Sequence, residues 1–151
     1  MSERFILYCD ASLLLSLRIR GDTQHSNAVA WQRRYAEFPA VWTPLHRVET
    51  FNKIRQLAQF GNITVAEARR VINEWTYDLA RYFDHRELDW RDLCSTAAEI
   101  SAAHGWTVRA RALDLLHVAF AQELGCDLFA TCDGDQFDLA TAAGLKAELI
   151  S

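Results

Sequence analysis

Two stretches, Arg4-Phe-Ile-Leu-Tyr-Cys-Asp10 and Asp127-Leu-Phe-Ala-Thr-Cys-Asp133, decide how this chain is read. Each is a short apolar run that ends on a carboxylate. In an open α/β sheet, ligands bind in the crevice beyond the carboxyl ends of parallel strands. An aspartate placed just past an apolar strand therefore marks a site rather than a core position. Finding the pattern near both ends of one chain predicts two strands that meet in space.

The rest of the chain supplies helices between strands. Asp10-Ala-Ser12 is a helix start, with Asp10 or Ser12 as cap and a leucine run behind it. A second helix is expected over 25–36 and a short buried strand over 38–42. Pro44 follows the Thr43 cap at the head of a helix reaching about Phe60, with Leu45, Val48, Phe51 and Ile54 at helical spacing. Gly61-Asn62 ends it, and Thr64-Val-Ala-Glu67 has the form of a capping box for a helix to about Phe83. Helices over 93–103 and 110–124, a strand over 127–132, a helix over 136–143 and a strand over 145–150 complete the order. Strands separated by helices imply parallel pairing with right-handed crossovers. The expected fold is a three-layer α/β/α domain spanning 1–151, with a central, mainly parallel sheet of four to five short strands. Trp31, Trp42, Trp75, Trp90 and Trp106 are assigned to helix–sheet packing.

Composition narrows the function. Half of the 151 residues are hydrophobic, with only six Gly and two Pro, which excludes a disordered chain. No apolar run approaches the roughly 20 residues needed to cross a bilayer, and Met1-Ser-Glu-Arg4 leads into no secretory signal, so a cytoplasmic protein is expected. Cys9, Cys94, Cys126 and Cys132 include no C-x-x-C pair and read as structural thiols. The net charge of −4 is the wrong sign for holding nucleic acid by bulk electrostatics. A carboxylate cluster becomes attractive to phosphate only once a divalent cation binds it.

Asp10, Glu49, Asp114 and Asp133 are the candidates for such a cluster. Asp114 interrupts Ala112-Leu-Asp-Leu-Leu-His-Val-Ala-Phe-Ala121, a helix apolar nearly all round and so expected to be buried. A buried carboxylate needs a cation, a metal or strong donors. The structural alternative is an ion pair with Arg111, three residues earlier. Cys132-Asp-Gly-Asp-Gln-Phe137 places Asp133 and Asp135 on a turn after a strand, as plain turn chemistry or as oxygen ligands. Ser12 is a candidate to orient Asp10 or touch a metal-bound water, and Thr131 to hydrogen-bond the site; capping and strand propensity explain both equally well. His117, one turn after Asp114, reads more readily as a satisfied core histidine than as a site residue. Arg18, Arg20, Arg109 and Arg111 are either phosphate contacts or solvated helix ends.

Tyr8-Cys-Asp-Ala-Ser-Leu-Leu-Leu15, Val48-Glu49, Arg111 to Ala121 and Ala130-Thr-Cys-Asp-Gly-Asp-Gln-Phe137, in that order, resemble the PIN domain, and more narrowly VapC-type toxins. The resemblance implies an endoribonuclease with Asp10, Glu49, Asp114 and Asp133 as its catalytic acids. Asp10, Asp114 and Asp133 would bind Mg²⁺ or Mn²⁺, with Ser12, Thr131, Asp135 and Arg111 in support. It also implies an RNA substrate, a homodimer, and a cognate VapB-like antitoxin whose C-terminal segment blocks the site. Thr43-Pro-Leu-His-Arg47 departs from the small, apolar residues usual before the second acid. Within the same family, the alternatives are a non-toxin RNA-processing nuclease and a catalytically silent RNA- or protein-binding domain. Phosphoryl transfer of the haloacid-dehalogenase type would want a second aspartate where Ser12 stands.

Overall fold

The computed structural model describes residues 4–151; Met1–Glu3, where a secretory signal was sought, lies outside them. The elements run β1 (Leu7–Cys9), α1 (Ala11–Arg18), α2 (His25–Arg34), β2 (Val41–Trp42), α3 (Pro44–Gln59), α4 (Val65–Tyr82), β3 (Asp84–His85), α5 (Trp90–His104), α6 (Ala112–Leu124), β4 (Leu128–Thr131), α7 (Gly134–Ala142) and β5 (Ala147–Leu149). β1 pairs with β4 and β4 with β5, while β2 pairs with β3; every pairing is parallel. A single parallel bridge between Leu7 and Ala40 joins the two sheets. The spatial order is therefore β5-β4-β1-β2-β3.

Strand alternation sorts the core into two layers. Leu7, Cys9, Trp42, Leu128 and Ala130 face one side and pack with α1, α2, α3 and α4, where Leu13, Trp31, Ile54 and Trp75 fill the space. Tyr8, Val41 and Phe129 face the other and pack with α5, α6 and α7 through Leu93, Val118, Phe120 and Leu139. Tyr8 and Phe129 lie on adjacent strands with ring centroids 5.4 Å apart and planes 9° from parallel. This is the expected α/β/α arrangement, with the period of two along each strand deciding which helix layer a side chain meets.

Five local expectations are corrected. β3 is a polar edge strand, held by Asp84 N–H donating to the Ala40 carbonyl; with no apolar run it left no strand signal. α5 begins at Trp90 rather than near Leu93, because Asp89 caps it by accepting from Asp92 N–H. Trp90 and Trp106 do not pack against the sheet: Trp90 projects from the first turn of α5, and Trp106, 91% exposed, sits in the turn beyond its end. Val48 is also exposed; the buried face of α3 is His46, Thr50, Phe51 and Ile54. At Thr64 only half of the capping box forms, with Glu67 N–H donating to the threonine hydroxyl. Two helix ends behave as read, since Gly61 and Gly125 take positive φ of 78° and 63°. Among the described residues no helix is long and apolar enough to cross a membrane.

The contrast between tryptophans is testable by urea unfolding. Trp75→Ala removes a fully buried side chain and should cost about 3–5 kcal/mol. Trp106→Ala should change stability by less than about 0.5 kcal/mol. Equal losses for the two would contradict the layer assignment.

Candidate functional site

β1 lies between β4 and β2, so the chain leaves it in one direction for β2 and β3 and returns on its other side through β4 and β5. The topological switch point thus falls between β1 and β4, and the crevice beyond their carboxyl ends is the expected ligand position. Asp10 follows β1 there, and Asp133 follows β4.

Asp10 caps α1, accepting from Leu13 N–H on Oδ1 at 3.1 Å. The Ser12 hydroxyl donates to the same oxygen at 2.7 Å, and the Thr131 hydroxyl donates to Oδ2 at 2.6 Å. The two hydroxyls also accept in turn, Ser12 from Cys132 N–H and Thr131 from Asp133 N–H. Each has spent its single proton on Asp10, so their 3.2 Å approach to one another is a packing contact. Ser12 and Thr131 therefore both hydrogen-bond Asp10, and they tie it to the loop carrying Asp133. Asp10 is only 5% exposed. Burial outweighs these donors and lifts its carboxyl from the usual 3.8 to about 6.

Asp133 is exposed and caps α7, receiving the N–H groups of Asp135 and Gln136 on Oδ1. Asp135 is exposed beside it and contributes its backbone to this turn. Asp114 is half-buried rather than buried, on the first turn of α6. Its Oδ2 accepts from the backbone N–H of Arg111 at 2.9 Å, so Arg111 contributes its amide; among the described residues its guanidinium forms no ion pair. Partial burial is the main reason the Asp114 carboxyl is raised, and the nearby charges of Asp133 and Glu49 push the same way. Those two repulsions put three of the acids in one neighbourhood.

Glu49 reaches that neighbourhood from α3, whose buried side is anchored by a histidine the sequence reading passed over. His46 Nδ1 accepts from Thr43 N–H, and its Nε2–H donates to the Cys9 carbonyl at 2.8 Å. An obligate donor on one nitrogen and an obligate acceptor on the other fix a neutral ring, as burial also demands. Three residues on, Glu49 Oε2 meets Nε2 of His117 at 2.6 Å. His117 is thus a satisfied core histidine and also a neighbour of the site. The signal available for His46 was Thr43-Pro-Leu-His46 itself, a capping box in which histidine takes the place of Glu or Gln.

All four acids keep an oxygen, or on Asp10 a lone pair, that no described residue uses. The donor set is purely carboxylate, which suits a hard cation. Among the described residues no three His, Cys, Asp or Glu side chains converge tightly enough to enclose an ion. The arrangement fits Mg²⁺ or Mn²⁺ that keeps several waters and shares substrate phosphate; it does not fit a closed all-protein cage. The thiols take no part: burial raises Cys9, and lifts Cys126 to about 12 and Cys132 to about 11.

Asp10 makes stability a function of pH. An acid whose folded-state pKa exceeds its unfolded value favours the fold while protonated. That advantage disappears as pH rises from about 4 through about 6. With EDTA present, wild type should lose about 3 kcal/mol relative to Asp10→Asn between about pH 4 and about pH 7.5, measured by urea unfolding. Parallel stability curves for the two proteins would show that Asp10 is not held in the buried state described.

The PIN domain family profile matches residues 7–142. Among solved structures, the sarcin–ricin loop cleaving toxin VapC20 of Mycobacterium tuberculosis superposes with a TM-score of 0.66 at 20% identity, covering 92% of this chain and 95% of that one. FitAcB from Neisseria gonorrhoeae gives 0.62 at 13% identity, covering 94% and 96%. PAE2754 from Pyrobaculum aerophilum gives 0.62 at 16% identity, covering 96% and 92%. No curated protein sequence matches the chain. The profile spans most of the chain and the superpositions share its fold: the chain belongs to the PIN domain family.

Proposed function

We propose that this PIN domain is a divalent-metal-dependent endoribonuclease and the toxin of a toxin–antitoxin pair. The observation that carries the reading is that acids from separate elements are linked, by hydrogen bonds or by charge, around the ends of β1 and β4. Asp10 is hydrogen-bonded to the Asp133 loop through Thr131, and Asp114 is raised by both Asp133 and Glu49. A scaffold gains nothing from like charges held together, so their cost points to a cation.

Asp10, Asp114 and Asp133 hold Mg²⁺ or Mn²⁺, and Glu49 completes the acidic set. When bound, the ion supplies a water of lowered pKa and neutralises charge on the phosphoryl oxygens. Ser12 and Thr131 keep both Asp10 oxygens in place, and Arg111 N–H does the same for one oxygen of Asp114. With a net charge of −4, the chain attracts RNA at this point only when the cation is present. An RNA substrate and a toxin's role are supported by the named activity of VapC20, and a VapB-like antitoxin and a homodimer are proposed as part of the same toxin reading.

The reading is tested by incubating total cellular RNA with purified, antitoxin-free protein in Mg²⁺, Mn²⁺ or EDTA, beside Asp114→Asn. Discrete, metal-dependent fragments are expected from wild type. The variant should be slower by about 100-fold or more, as for loss of a group that stabilises the transition state. It should remain folded, because asparagine Oδ1 still accepts from Arg111 N–H. Equal cleavage by both proteins would place catalysis elsewhere, and no cleavage by folded wild type with either metal would favour a silent binding domain.

A further inference from the structure

His117 makes two hydrogen bonds at the centre of the molecule, and one of them leads into the acidic site. The ring is 1% exposed. Nδ1 lies 2.7 Å from the Tyr8 hydroxyl, and Nε2 lies 2.6 Å from Glu49 Oε2. Tyr8 is fully buried on β1, two residues before Asp10; His117 is on α6, three residues after Asp114; Glu49 is on α3. The chain Tyr8–His117–Glu49 therefore spans three of the elements that carry the acids.

The direction of the second bond is set by chemistry. An ionised carboxylate offers only acceptors, so Nε2 must carry the proton. A neutral ring then accepts the Tyr8 hydroxyl proton on Nδ1. A charged ring would donate from both nitrogens and leave the Glu49 bond unchanged. His46 closes the other side of His117, with ring centroids 4.7 Å apart, and its own bond to the Cys9 carbonyl prevents it from moving away. His117 cannot turn without abandoning Tyr8, and Glu49 cannot turn without abandoning His117. Oε1 of Glu49 has no partner among the described residues, and its charge is felt at Asp114.

We propose that His117 is a positioning residue of the nuclease site: clamped by the Tyr8 hydroxyl, its Nε2–H fixes Glu49 so that the second carboxylate oxygen is presented to the acidic cluster. This rests on the nuclease reading above and assigns it a supporting residue outside the four acids. An outer partner of this kind, conserving the direction of a carboxylate, typically matters by 10–100-fold in activity.

The test combines kinetics with a spectroscopic measurement. His117→Leu keeps the volume and removes the donor. It should lower kcat for RNA cleavage about 10–100-fold with little change in KM. His117→Gln should recover most of that rate, since its amide N–H can reach Glu49 and its carbonyl can accept from Tyr8. In a Glu49→Ala background His117→Leu should cost nothing further, whereas a merely structural histidine would cost the same in both backgrounds. Independently of activity, imidazole ¹⁵N spectra should show His117 Nε2 protonated in wild type, with that resonance shifted by Glu49→Ala.

Additive losses, or full activity in His117→Leu, would overturn the positioning role while leaving the nuclease standing. A wild type that cleaves no RNA with either metal would remove the nuclease reading, and the positioning role with it, whatever the spectra show.

Discussion

The site depends on a buried polar clasp. Asp10 is held by two hydroxyls, Ser12 and Thr131, and those hydroxyls are held by the backbone of Cys132 and Asp133. A few ångströms away, His46 ties α3 to the last carbonyl of β1, and His117 ties α3 to α6. Removing any one partner would leave another group buried and unsatisfied, which costs more than a typical hydrogen bond contributes. The clasp also gives direction to the elements that carry the acids, because apolar packing between helices sets distance but not direction. Function and rigidity share the same hydrogen bonds here.

Electrostatics work against this arrangement. Asp10 is raised by burial, and Asp114 by burial with help from its acidic neighbours, so keeping these carboxyls ionised has a cost that their donors only partly offset. Stability is given up where function needs charge, a common exchange at active sites. Of the two histidines, His46 is neutral and does not offset the acids' charge, while His117 meets Glu49 in a hydrogen bond whose direction is the same for a neutral or a charged ring. They serve chiefly to set direction.

Much of this was legible in the sequence. The two strands ending in Asp10 and Asp133 follow from apolar runs stopped by a carboxylate, and the parallel α/β/α layering follows from helices between strands. Asp114 stood out because it breaks an apolar helix, although its first-turn position leaves it half-exposed. Ser12 and Thr131 could be named because each lies within two residues of a strand-end aspartate in the sequence. What escaped was long-range. The Tyr8–His117 and His46–Cys9 bonds join residues 109 and 37 apart in sequence, and no periodicity reports such a pairing. β3 escaped because a polar edge strand is defined by its neighbour's hydrogen bonds rather than its own composition. Trp90 and Trp106 read inward on residue type and Val48 on its helical spacing, whereas the helix ends and the α3 face place all three outside.

The central claim is that the crevice beyond β1 and β4 is a metal site built from Asp10, Asp114 and Asp133. Anomalous diffraction from crystals grown in saturating Mn²⁺ tests it most directly. The account predicts a manganese peak in that crevice within coordination distance of at least one of these carboxylates, and its loss in Asp10→Asn crystals. A well-ordered crystal with no peak there, or with manganese bound only at unrelated surface acids, would contradict it.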